Sequence, residues 1–319
     1  MAPNRLGFAV KVLGRGGLRD HDGRRWRSEP HLRVSLGYLR EIFSYLTEGG
    51  IRMYRISSNI IPYATHLDLP HFHHQIEECG DELAALGAVA KERDLRLSLH
   101  PSQYIVLNSP HAHIAAAAVR EFASHAAFLD AMGLGPEAKI VTHVGGVYGD
   151  RAAAIERFVG RYDQLSAAIR DRLILENDEI SYGVPDILAI SARTGVPLVF
   201  DILHHRVNNP GRMSEAEACR ACVATWPAGV VPKVHFSSQR TALRPLTRTN
   251  RTTGERTVTQ QAPKAGQHDD WIDPTDFLAF LTATPGLRFD AMLEAKQKDL
   301  AVLKLREALL AANATTRIW

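Results

Sequence analysis

Histidine and carboxylate recur at the ends of short apolar runs, and that pattern is the chemical content of this sequence. His100 closes one run, His143 another and Glu176 a third. Asp201 ends the next, with His204 three residues on, and Lys233 and His235 share the one after. Glu294 closes the last, and His268 precedes it in a long polar segment. Imidazole with carboxylate suits Zn²⁺ or Mn²⁺, whereas sets of oxygen alone suit Mg²⁺ or Ca²⁺. These histidines and three carboxylates exceed the needs of one tetrahedral ion. Shared through bridging carboxylates, they would serve two or three. Such clusters activate water at neutral pH and stabilise the attacking and leaving oxygens of a phosphodiester. A single histidine at a strand end is more often a structural residue. The whole set is harder to dismiss, because chance would scatter such residues over both ends of a sheet.

The elements that must gather these residues can be read from β-branched apolar runs. They are Arg5–Val10, Ile51–Ser57, Leu95–His100, Lys139–Val144, Leu173–Asn177, Pro197–Ile202, Val231–Phe236 and Phe289–Glu294. Helix-patterned stretches lie between them, among them Gln75–Arg93, Ala115–Met132, Ala152–Arg170 and Met213–Trp226. Alternation of this kind means parallel βαβ units. Eight units in 319 residues predict an α/β fold with one (β/α)8 TIM barrel over 1–319, whose strand C-termini converge on one mouth. Ser214, followed by Glu215 and Glu217, is expected to cap a helix. Pro185 and Pro197 are expected just ahead of a helix and a strand.

Two segments break the pattern, 14–31 and 238–267. Both follow a strand and are expected as long basic loops at the C-terminal face. The first carries Arg15, Arg19, Arg24, Arg25 and Arg27. The second carries Arg240, Arg244, Arg248, Arg251, Arg256 and Lys264 against Glu255 alone, a local charge of six minus one, more than the whole chain's net +3. Cations beside a metal-binding mouth point to phosphate contacts with DNA.

The order and content of the motifs resemble the UV damage endonuclease family, DNA-repair enzymes whose barrel is shared with endonuclease IV and xylose isomerase. The matching stretches are RLGF at 5–8, YRISSNIIPYATH at 54–66, LSLHPSQY at 97–104, THVGG at 142–146, LILENDE at 173–179, FDILHH at 200–205, PKVHFSS at 232–238 and MLEAKQKDL at 292–300. The resemblance implies that His100, His143, Glu176, Asp201, His204, His235, His268 and Glu294 bind divalent metals, three ions of the Mn²⁺ type, with Zn²⁺, Co²⁺ and Mg²⁺ as alternatives. It implies a further active-site histidine at His66 and a catalytic lysine, open to carboxylation, at Lys233. Asp270 would be an additional candidate ligand. Gln103 and Tyr104 match a pair that probes damaged double-stranded DNA and fills the gap left by flipped nucleotides. Some relatives have Tyr where this chain has Phe8, and Asn where it has Val12. The implied reaction is phosphodiester hydrolysis immediately 5′ of a lesion, leaving a 3′-hydroxyl.

A metal-dependent sugar isomerase or epimerase on the same fold is the rival reading, since fold does not decide function. A lesion-binding protein without cleavage is another. The basic segments and the Gln103–Tyr104 pair separate the first from a nuclease. Turnover separates the second.

The remaining features bound the class. The three cysteines, Cys79, Cys219 and Cys222, are an odd number that suggests a reduced, cytoplasmic (nucleoid-associated) protein without a disulfide framework. Cys219 and Cys222 share a helix face and are expected in the core. His71, His73 and His74 are expected in a surface loop, and His205 in a structural role. No apolar run has the ~20 residues that cross a bilayer, and no leader peptide is read at MAPNRLGFAV. A monomer is expected.

Overall fold

Side chains of a β-strand alternate between its two faces, so each strand of a closed barrel sends alternate residues inward. The computed structural model describes residues 4–250 and 252–312 and contains such a barrel. Its strands are β1 (Leu6–Ala9), β2 (Met53–Arg55), β3 (Arg96–Leu99), β4 (Lys139–His143), β5 (Leu173–Glu176), β6 (Leu198–Asp201) and β7 (Lys233–Phe236). A hairpin of β8 (Arg244–Thr249) and β9 (Arg256–Gln261) follows, and β10 (Asp290–Leu293) completes the barrel. The closed order is β1-β10-β7-β6-β5-β4-β3-β2, and every barrel pairing is parallel. All eight expected barrel strands are therefore present, trimmed by a residue or two at their ends.

Helices return the chain from each strand to the next: α1 (Leu32–Glu48), α2 (Gln75–Glu78), α3 (Gly80–Glu92), α4 (Ala112–Ala131), α5 (Arg151–Asp163), α6 (Ala167–Arg170), α7 (Val184–Thr194), α8 (Ile202–Val207), α9 (Glu215–Val223), α10 (Pro274–Ala283) and α11 (Lys298–Ala311). The expected helix 75–93 is divided at Cys79, and 152–170 is divided before Ser166, whose side chain caps α6. Ser214 caps α9 in a reciprocal box with Glu217. Pro185 lies within the first turn of α7 rather than ahead of it, where its missing N–H costs no hydrogen bond. Cys79, Cys219 and Cys222 are free and buried. No helix among the described residues is long and apolar enough to cross a membrane.

The main core lies between the barrel wall and the helices. Two smaller clusters fill the barrel itself. Val141, Ile174 and Val199 pack on Trp226, and Ala9 packs with Met53 and Met292. Helix α3 approaches α4 through Gly87, where an added Cβ would stand 1.7 Å from the Met132 carbonyl oxygen. Backbone cannot yield as a flexible side chain does. Gly87→Ala is expected to destabilise by about 3 kcal/mol, at or beyond the upper end of ordinary overpacking costs. Urea denaturation checks this, and an unchanged midpoint would show that the two helices slide apart freely.

The 238–267 segment is not an irregular loop. β8 and β9 pair antiparallel over six positions, from Arg244↔Gln261 to Thr249↔Arg256. Leu246 and Val258 are the lone large apolar side chains of the two strands, so hydrophobic patterning carried no sign of them. Arg251, one of its expected cations, lies outside the described residues.

Candidate active site

Each inward-facing layer of the barrel dictates the next. Val141, Ile174 and Val199 occupy the interior, so residues two positions on face the same way at the mouth. Those residues are His143, Glu176 and Asp201. Met53 and Met292 likewise lie beneath Arg55 and Glu294, and Lys233 lies beneath His235. Strand register then sets neighbours side by side, with His143 opposite Glu176 and Asp201 opposite His235.

Glu176 is the centre of the arrangement. It is buried, and its carboxylate is 2.6 Å from His235 Nδ1 and 3.1 Å from His100 Nε2. His143 Nε2 stands 3.6 Å away and His204 Nδ1 3.7 Å. Glu294 Oε1 lies 3.5 Å from His235 Nδ1, and its Oε2 lies 3.8 Å from His268 Nε2. Imidazole rings form an arc around the mouth. Centroids are 6.3 Å apart from His235 to His100, 5.2 Å on to His143, 6.1 Å to His204 and 6.3 Å to His268. Two sets place donor atoms close enough to share an ion, His100–His143–Glu176 and Glu176–Asp201–His235.

The electrostatics are those of buried carboxylates set against imidazoles and one guanidinium. Burial disfavours a charged Glu176, but the imidazoles of His235, His143 and His100 more than offset it and hold the carboxyl well below the usual range. Burial similarly opposes ionisation of Glu294, and Arg55 with His235 overcomes it. Burial pushes Asp201 up to about 7, with Glu176 and Glu294 adding to the effect against its neighbour His204. Burial works against a cationic His204, yet Asp201, Glu176 and Glu179 raise it to about 10. Burial pushes His235 down to about 4 against the attraction of the two glutamates. Lys233 is driven well below the ordinary lysine range by burial and by Arg55 and Arg96, and its Nζ donates to Ser98 Oγ at 3.1 Å.

Three partners of this site were not singled out in the sequence. Arg55, nearly buried, donates to Glu294 Oε1 at 2.5 Å and lies 3.0 Å from His235 Nε2. Asn177 fixes the Asp201 backbone through both ends of its amide, at 2.9 and 3.0 Å, and its carbonyl oxygen meets His204 Nδ1 at 2.9 Å. Glu179 approaches His204 Nε2 at 3.5 Å. The inward parity shared by Arg55 and Met53 was the available signal for the first.

Other candidates fall elsewhere. His66 is exposed and stands apart from the cluster, lining a neighbouring cavity of about 530 Å³ with Tyr63, Asn59 and His125. Asp270 pairs with Arg244 at 2.9 Å and is not among the clustered donors. Gln103 and Tyr104 are exposed in the turn after β3, with Tyr104 75% accessible. His71 and His74 are exposed, and His205 turns away to Met213 O at 3.0 Å. Phe8 and Val12 are buried in the core, Phe8 edge-on to Tyr54 with centroids 5.4 Å apart.

The residues present suit a divalent cation. Asp201 Oδ2 and His143 Nδ1 are buried without any hydrogen-bond partner, an arrangement that normally calls for an ion or water. Oxygen and imidazole nitrogen together are the donor set of Mn²⁺ or Zn²⁺.

A closed parallel barrel with such a mouth defines the class as a (β/α)8-barrel enzyme fold, and comparison with known proteins narrows it. The family model for UV-endonuclease UvdE matches residues 33–318. A UV DNA damage endonuclease of Bacillus velezensis is 33% identical over 277 residues, which are 86% of this chain and 80% of that protein. The crystal structure of SacUVDE superposes with a TM-score of 0.80 at 30% identity, covering 98% of this chain and 99% of that one. A D-psicose 3-epimerase solved in the presence of D-fructose reaches only 0.53 at 12% identity, over 97% and 99% of the two chains, and shares the fold alone. The chain belongs to the UV-endonuclease UvdE family, and so to the DNA-repair endonucleases.

Proposed function

We propose that this protein hydrolyses the phosphodiester immediately 5′ of a damaged base in duplex DNA, in a metal-dependent reaction that flips the lesion out of the helix. The observation that carries the reading is the convergence on Glu176 of four imidazoles, with Asp201 and Glu294 beside it. His100, His143, Glu176, Asp201, His204, His235, His268 and Glu294 would hold the ions, with Mn²⁺ the first expectation. When bound, divalent ions lower the pKa of water and stabilise the charge that develops on a phosphodiester. Glu176 faces both donor sets and is the natural bridge between them. Lys233, whose ammonium is disfavoured by burial beneath the cluster, would tune it from below. Gln103 and Tyr104 stand exposed beside the mouth, where an amide and a ring can replace the stacking lost on flipping. His66 would act from the neighbouring cavity, on DNA rather than on the ions. The epimerase reading has no need of an exposed tyrosine or of cationic segments.

The position of the cut is tested by end-labelling either strand of a duplex with one photoproduct. A product whose 3′ end a polymerase extends directly, one bond 5′ of the lesion, is the expected result. Ends that require processing, or cuts scattered along the strand, would remove this reading.

Metal uptake is also expected to release protons. His204 is raised to about 10 and Asp201 to about 7, so the pair holds at least one proton at pH 7. Ligands must shed protons to coordinate. Apparent Mn²⁺ affinity should therefore rise with pH between 6 and 8. Calorimetry in buffers of different ionisation enthalpy should give different apparent heats. Identical heats would mean that Asp201 and His204 are not displaced by the ion.

A further inference from the structure

The most cationic part of the molecule is the one without a core. Every residue of β9 is exposed, and β8 is exposed beyond Leu246. A two-stranded ribbon is marginal in water unless something packs against it. Among the described residues, its anchors lie at its base. Arg240 N donates to Gln267 O at 2.8 Å, and Asp269 N donates to Ser238 O at 2.9 Å. Gln239 bridges His268, and Arg244 pairs with Asp270 at 2.9 Å. Those contacts flank His268, whose imidazole stands 3.8 Å from Glu294, so the ribbon is rooted at the rim of the mouth.

Its chemistry is that of a phosphate-binding surface. Arg248 lies opposite Thr257 and Thr249 opposite Arg256, which puts a guanidinium on each face of the outer ribbon. Neither arginine has an ion pair among the described residues, unlike Arg244. The exposed neighbours Thr247, Thr249, Thr257, Thr259 and Gln260 are neutral hydrogen-bond donors. Strands of six residues reach about 20 Å at the usual rise, and a two-stranded ribbon entering the major groove would turn its two faces toward the phosphates of the two strands.

We propose that the β8–β9 ribbon is an arm that grips the phosphodiester backbone of the duplex held at the mouth, through Arg248 and Arg256, without reading base sequence. This rests on duplex DNA being the substrate. The occupant is inferred from charge complementarity: the segment's cations face a polyanion and carry almost no internal counter-charge.

The test is equilibrium binding of an undamaged fluorescent duplex in EDTA, where no cutting intervenes, across 50–200 mM salt. Each phosphate contact contributes about 0.9 to the slope of log affinity against log salt. The double variant Arg248→Ala/Arg256→Ala should lose about 1.8 of that slope. Its disadvantage should shrink roughly tenfold from 50 to 200 mM salt. Arg248→Lys/Arg256→Lys should retain the slope, because a lysine still neutralises a phosphate. Both positions are exposed, so folding is not at stake. An alanine variant with the wild-type slope overturns the arm, as it would if the ribbon served an acidic protein instead. The expected slope change in the alanine variant, together with wild-type protein that never nicks a lesion when supplied with Mn²⁺, supports the arm and sinks the proposed reaction. Wild-type protein that binds no duplex overturns both.

Discussion

Glu176→Gln is expected to lower nicking beside a lesion by about 10²–10⁴-fold while duplex binding stays within a few fold. The amide keeps the shape of the side chain, so the barrel still folds. It loses the charge that His235, His100, His143 and His204 all face at 2.6–3.7 Å. It also replaces one carboxylate oxygen by an NH₂ group that can neither accept a hydrogen bond nor coordinate an ion. Removing one partner from a buried charged cluster costs about 3–5 kcal/mol, which corresponds to the range given if it is lost from the transition state. The proposed DNA contacts lie elsewhere, on exposed groups such as Tyr104, and should survive. Single-turnover nicking with saturating Mn²⁺ reads the first quantity and anisotropy reads the second. Near-normal cleavage by the variant would mean that the cluster is not the reaction centre.

Arg55→Met is expected to destabilise the metal-free protein by about 3–5 kcal/mol, the cost of breaking a buried pair from one side. The guanidinium lies at the base of the mouth, against Glu294 at 2.5 Å and His235 Nε2 at 3.0 Å. With it gone, the Glu294 side chain, only 13% accessible, loses the guanidinium it is paired with. A divalent ion would supply the missing charge, and a ligand bound only by the native state stabilises that state by mass action. The deficit should therefore be largest in EDTA and narrow with added Mn²⁺. Urea denaturation under both conditions gives the comparison. Equal stability of variant and wild type in EDTA would show that Arg55 does not hold the site together.

Much of this site was legible because β-structure has a period of two. Once Lys139–His143, Leu173–Glu176, Leu198–Asp201 and Lys233–Phe236 are read as neighbouring parallel strands, their histidines and carboxylates fall toward one end. Short runs rich in apolar, β-branched residues made those strands visible. Arg55 was hidden by its residue type, since an arginine in a short strand reads as a solvent-facing residue until closure of the barrel shows which way it points. Asn177 acts through the backbone of Asp201, and nothing in sequence spacing marks such a contact. The β8–β9 ribbon was hidden for a different reason: with no buried face, it has no alternation between apolar and polar residues to detect. His66 shows the converse limit. Its motif matches the family, yet the turn that carries it leaves the imidazole outside the cluster, in the cavity lined by Asn59 and His125.

The central claim is that the His–carboxylate mouth cuts DNA beside damage with the help of divalent ions. It is tested most directly by nicking of a duplex containing one defined UV photoproduct, with Mn²⁺ and with EDTA, against the same duplex undamaged. The account predicts a single cut 5′ of the photoproduct that requires Mn²⁺ and is absent from the undamaged strand. Cleavage that persists in EDTA, or metal-loaded protein that leaves the photoproduct duplex intact, would contradict it.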